Sequence, residues 1–242
     1  MSNLDFCTIY TTTGQIDQLT YAQKAADSGD TCVGMKSKHG VVLLAAKPRI
    51  SPLYVAESDE KIRRAGNSVA VACTGIASDM FYVGYAIKDH VFHHKENFNE
   101  DPTPEIMKVY LNDIFHYFTR SINLRVLGVN SLTSVYKEGR FSLLHTDCSG
   151  KTLFYKAACI GRGTRRIKTE LEKLDIDNMT VEEMVDAGVK VLYMAHDPSK
   201  DKEFDIEIGV VSAETDGKMR KLRSSEVQAF VDKYKHITID ED

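Results

Sequence analysis

The chain has 242 residues, 43% of them hydrophobic, enough for one large domain with a substantial core. Its formal net charge of −4 lies close to balance, which argues against a nucleic-acid or membrane-surface footprint. Five scattered cysteines, Cys7, Cys32, Cys73, Cys148 and Cys159, include no C-x-x-C spacing and argue against a zinc site or a disulfide framework. Cys32, Cys73 and Cys159 lie in apolar strand-like contexts and read as buried free thiols.

Residues 1–13 are polar, rich in threonine, and read as an extended arm. They carry neither a basic start nor a long apolar run, so no signal peptide is expected. No stretch approaches the roughly 20 apolar residues of a membrane span, so a cytosolic or nuclear protein is expected. From residue 14 or 15 to 27 the pattern is helical, with Ile16, Leu19, Ala22 and Ala26 on one face. Ser28 and Gly29 end that helix. Two strands follow, TCVGMKS and VVLLAAK, joined at Lys38-His39-Gly40. Residues 61–65 and 68–74 read as another strand pair. A helix is predicted over 78–95, broken at Asn97-Phe98-Asn99, and Pro102 and Pro104 open a second one that runs to about 121.

A second block of strands covers 127–136, 140–146 and 153–159. Helices are predicted over 163–174 and 180–196, the latter with Thr180 and Glu183 as a capping box. Residues 204–212 alternate as a strand, 224–234 form a last helix, and 235–242 are an acidic tail. Blocks of strands thus alternate with blocks of helices, unlike the strict alternation of a doubly wound parallel sheet. Face-to-face antiparallel sheets with paired helices outside predict an α+β fold, a four-layer α-β-β-α sandwich, in one domain over 1–242.

Candidate chemistry is sparse. Gly161-Arg162-Gly163 follows a strand and precedes a helix, the place of a phosphate cradle. However, Arg166 stands where a dinucleotide fingerprint needs its third glycine. The bland reading is a tight turn from strand into helix. His93 and His94, near Glu96, point in different directions and read as a solvated helix end rather than metal ligands. His39 reads as an exposed turn residue. His145 and Cys148 lack a third partner. Lys61, in an acidic stretch, reads by itself as a surface charge.

Thr31 heads the first strand, the position a nucleophilic threonine takes when its own α-amine accepts the hydroxyl proton. Residues 1–30 precede it, Asp30 replaces the glycine at which such propeptides are removed, and Ala46 offers no acid on the second strand. A strand residue is the physical reading. An active threonine hydrolase and a nucleotide-using enzyme built on the GRG turn are the rivals.

Together these stretches resemble the α-type subunits of the 20S proteasome core. Tyr10, Gly14, Gln18, Tyr21, Ala22 and Ala25 fit the family's N-terminal signature. GVVLLAAK (40–47), EKI (60–62), TGIASD (74–79), RVLGV (125–129), TDCSG (146–150), KAACIGRG (156–163) and KTELEK (168–173) follow in the family's order and spacing. The resemblance implies a fold of the N-terminal-nucleophile hydrolase type and a non-catalytic subunit, without cofactor or metal. It implies a seven-membered α ring stacked on β-ring subunits, with a regulatory particle or other activators as partners in ATP- and ubiquitin-dependent degradation in cytoplasm and nucleus. A β-type protease subunit with Thr31 unmasked is the alternative. The resemblance also assigns two sites. Residues 1–13 become an axial gating arm, and Asp5 and Tyr10 in the arm, with Tyr21 of the following helix, match gate positions. Lys61 matches the lysine that pairs with the C-terminal carboxylate of an activator tail, with Gly29 and Ile76 lining the same pocket. Leu4 and Thr12 replace the family's gate Tyr and Pro.

Overall fold

The computed structural model describes residues 10–49, 51, 53, 55, 58–121, 123–196 and 202–235. Asp5, Cys7, most of the arm and the acidic tail beyond residue 235 lie outside them.

Among the described residues, ten strands form two antiparallel sheets. The first contains β1 (Cys32–Lys36), β2 (Gly40–Pro48), β8 (Ala157–Ile160), β9 (Phe204–Ser212) and β10 (Met219–Lys221), in the order β10-β9-β2-β1-β8. The second contains β3 (Ile62–Arg64), β4 (Val69–Gly75), β5 (Val129–Lys137), β6 (Arg140–Thr146) and β7 (Thr152–Tyr155), in numerical order. The sheets face each other through alternate side chains, the period-2 consequence of the pleat. Cys32, Val41, Leu43 and Ala45 meet Ile62, Ala70, Ala72, Leu132 and Leu143 across the gap.

The opposite faces of both sheets are also apolar, so each needs a helical cover. Val33, Met35, Val42, Leu44 and Ile208 pack under α4 (Thr164–Leu171), α5 (Val181–Ala195) and α6 (Ser224–Tyr234). Val69, Val71, Cys73, Val129 and Leu144 pack under α2 (Ala77–Phe98) and α3 (Pro104–Arg120). This is the expected four-layer sandwich. Thr103 caps α3 by accepting from the Ile106 N–H, with Pro104 at the first helical position. The Thr180–Glu183 capping box is present on α5.

Several expectations need correction. The first helix, α1 (Asp17–Asp27), starts after residue 15, because Gly14 turns the chain at φ +76° and Ile16 is still extended at the helix cap. Helix α2 ends within the expected Asn97-Phe98-Asn99 break, though later than residue 95. It continues to Phe98 and ends where Asn99 takes the left-handed conformation. His93 and His94 therefore lie inside the helix, His93 exposed and His94 buried. The strand predicted over 153–159 divides at Lys156, with β7 closing one sheet and β8 the other. The short edge strand β10 was not foreseen.

Candidate functional site

The helix α1 crosses the end of the sandwich and delivers the chain into β1. Its small residues Ala22 and Ala26 set it down on Val126 and Cys148. The Gly29 N–H then donates to the Ala26 carbonyl at 3.1 Å, closing the helix. Residues 29 and 30 thread a narrow gap between two other loops. On one side, a Cβ on Gly29 would lie 2.5 Å from the backbone nitrogen of Gly75. On the other, a Cβ on Gly161 would lie 2.2 Å from the Asp30 carbonyl oxygen. The Arg162 N–H donates to the Gly29 carbonyl at 3.1 Å, and the Thr74 hydroxyl donates to the Asp30 carbonyl. Gly161 is thus a glycine because backbone passes close to it, the purpose of the GRG turn on this geometry.

Thr31 emerges from this clamp with its hydroxyl committed. Its Oγ1 donates to the Arg162 carbonyl at 2.6 Å, an acceptor that cannot act as a general base. The nearby lysines face carboxylates instead. Lys47 Nζ lies 3.9 Å from Glu207, and Lys61 Nζ lies 2.8 Å from Asp30 Oδ2 and 3.2 Å from Asp59 Oδ1.

Lys61 is not the surface charge that its sequence surroundings suggest. Its side chain is only 8% exposed, at the head of β3. Burial pushes the Lys61 ammonium down, but the hydrogen bond and charge of Asp30, with those of Asp59, outweigh it and hold the pKa above the usual lysine value. The other Asp30 oxygen, Oδ1, lies 3.4 Å from Arg162 Nη2. The backbone of this corner is also held: the Lys61 and Ile62 N–H groups donate to the Glu207 carboxylate at 3.0 and 3.3 Å.

Ile76 precedes the first turn of α2 and is partly exposed. It leans on Gly128, where a Cβ would lie 2.7 Å from Ile76 Cδ1 and 3.4 Å from the Ala25 Cβ. The three positions are linked through residues 29 and 30: Gly29 abuts Gly75, which precedes Ile76 in the chain, and Asp30, which follows Gly29, holds Lys61. A cavity of about 330 Å³ opens beside Asp30, with Thr31, Ala46, Arg162, Leu192 and Phe204 also among its lining residues; Gly29, Lys61 and Ile76 are not among them. Sequence reasoning treated Asp30 only as Thr31's neighbour and missed it as the partner of Lys61.

Tyr10 and Tyr21 are 74% and 47% exposed. Asp5 lies outside the described residues. The Cys148 thiol donates to the Val129 carbonyl at 3.4 Å, while the His145 ring meets Tyr155, so these two form no catalytic pair. Among the described residues no group of three His, Cys, Asp or Glu side chains is placed to hold a metal ion, and no helix is long and apolar enough to cross a membrane.

The proteasome subunit family matches this chain over residues 26–211. Over all 242 residues, and the whole of both chains, it is 81% identical to the probable proteasome subunit alpha type-7 of Encephalitozoon cuniculi. It is 32% identical over 227 residues to the proteasome subunit alpha of Methanoculleus marisnigri, covering 94% of each chain. Identity to the proteasome subunit alpha type-3 of Acanthamoeba castellanii is 26% over 235 residues, 97% of this chain and 93% of that one.

Proposed function

The chain belongs to the proteasome subunit family as a non-catalytic α-ring member, and from that premise we propose how it serves the particle. It takes one place in a seven-membered α ring, seated on a β ring that carries the proteolysis, in cytoplasm and nucleus. Residues 1–13 form part of the axial gate, with Tyr10, Tyr21 and Asp5 its contributors from this chain. The corner at Gly29, Lys61 and Ile76 forms one wall of a pocket that receives the C-terminal tail of an activator such as the regulatory particle. A buried ammonium at the head of β3 suits a terminal carboxylate, and a partly exposed isoleucine at the start of α2 offers apolar surface to the residue next to it.

The observation that carries the non-catalytic reading is the Thr31 hydroxyl, donated to a backbone carbonyl behind a packed helix. Native mass spectrometry of the purified particle tests the whole. The expected result is a stacked-ring complex containing this chain with residues 1–30 intact. A chain beginning at Thr31, or one that never joins other proteasome subunits, would overturn it.

A further inference from the structure

The tail-pocket reading needs an ammonium that can accept a new carboxylate. An ammonium offers three N–H donors. On Lys61, carboxylates already take two directions, Asp30 at 2.8 Å and Asp59 at 3.2 Å. Asp30 is also the more accessible member of its pair: its side chain is 20% exposed against 8% for Lys61. An incoming carboxylate therefore meets the Asp30 charge before it reaches the lysine, and like charges at this range repel. Asp30 is tethered by the clamped backbone at Gly29 and Gly161, so it competes at a high effective concentration. Asp30 also has a second place to go. Its Oδ1 already lies 3.4 Å from Arg162 Nη2, on a side chain that is 56% exposed.

Resting on the reading of this corner as a tail pocket, we infer that Asp30 occupies, from within the chain, the position on Lys61 that a tail carboxylate would take. Asp30 thereby determines the specificity of this pocket. A free terminal carboxylate gains little here over a neutral chain end unless Asp30 gives up Lys61 and rests on Arg162. The pocket of this subunit is accordingly a weak, conditional docking point, and its apolar wall at Ile76 contributes more to tail binding than its lysine does.

The test uses the assembled particle and a photoreactive decapeptide copied from the C-terminus of an activator subunit. The peptide is made as the free acid and as the C-terminal amide. Adduct formation on this chain, followed by mass spectrometry against peptide concentration, reads this pocket apart from the others in the ring. In the wild type, acid and amide are expected to label this chain at similar concentrations. Asp30→Asn should improve the acid by about tenfold or more and leave the amide unchanged. Adding Lys61→Ala should abolish that gain. Asp30→Ser repeats the comparison if the asparagine variant does not enter the particle.

A wild-type chain that already prefers the acid as strongly as Asp30→Asn does would overturn the role of Asp30 and leave the docking reading standing. Labelling of neighbouring α subunits but never of this chain, in any variant and with either peptide, would overturn the docking reading itself.

Discussion

Asp79 and Arg125 form a two-pronged ion pair, with Arg125 Nη1 at 2.5 Å from Asp79 Oδ2 and Nη2 at 2.6 Å from Oδ1. The Gly128 N–H donates to the same carboxylate at 2.8 Å. Asp79 sits in the first turn of α2, where a negative charge also meets the positive end of the helix dipole. The pair fixes the start of α2 against the segment entering β5, and so fixes Ile76 against Gly128. Arg125→Ala would leave a buried carboxylate with only backbone and Ser78 contacts. A loss of about 3 kcal/mol is expected, or roughly 6–12 °C in thermal unfolding for a chain of this size.

Burial pushes the Asp79 carboxyl up, but the hydrogen bonds from Arg125 and Gly128 outweigh it and hold it below the usual carboxylate range. A depressed folded pKa gives stability that is full above the unfolded value of about 3.9 and is lost as pH falls through the folded one. The wild type should therefore lose stability below about pH 4 more steeply than Arg125→Ala does. Parallel acid limbs for the two proteins would show that the pair does not carry this dependence.

At Gly29 the constraint is space rather than φ. A methyl group would press on the Gly75 nitrogen and the Thr74 hydroxyl oxygen, each 2.5 Å away, and the nitrogen belongs to backbone that cannot swing aside. Gly29→Ala is expected to cost about 1–3 kcal/mol as an overpacked contact and to displace Asp30 from Lys61. Denaturation midpoints check the first consequence. The acid-against-amide labelling of the particle checks the second. An alanine variant as stable as the wild type would mean that the clamp is looser than its geometry.

Strong periodicity made most of the fold legible. Residues 204–212 and 224–234 form a strand and a helix at their predicted limits, because clean alternation and a helical stripe leave little choice. The crossing at Lys156 was not legible, since TLFYKAACI carries no glycine or proline and a single lysine does not mark a break in a strand. The division is decided by long-range pairing, in which the Lys36 N–H donates to the Lys156 carbonyl at 2.7 Å and β8 pairs with β1. The site divides in the same way. Family spacing singled out Lys61, but its burial and its bond to Asp30 arise only when the heads of β1 and β3, in different sheets, come together. Local composition around Lys61 is acidic and suggests a solvated charge, which is the opposite of what the packing produces.

Thr31 is predicted to be dispensable for proteolysis. Thr31→Val keeps the branched shape that suits a strand and removes only the hydroxyl bonded to Arg162. The expected cost is about 1 kcal/mol for the lost hydrogen bond. Peptidase activity of particles carrying the variant should equal that of the wild type against acidic, basic and apolar reporter peptides. Loss of any one activity, with assembly intact, would restore Thr31 as a nucleophile.

The buried thiols give a reporter for the movement of α1. Burial pushes the Cys73 thiol up to about 12, and burial likewise dominates at Cys148, also about 12. At pH 8 about one part in ten thousand of either is then thiolate, the form that reacts with iodoacetamide. Both should resist alkylation in the native particle. Their covers differ, however. Cys73 lies under α2 and α3, whereas Cys148 lies under α1, against Ala22 and Ala26. Ala26 is fully buried, so Ala26→Asp would place an unpaired charge in that contact and lift the helix. Cys148 should then alkylate while Cys73 stays protected. Equal exposure of both would mean that the substitution unfolds the chain as a whole. Protection of both would mean that α1 is not held by this contact.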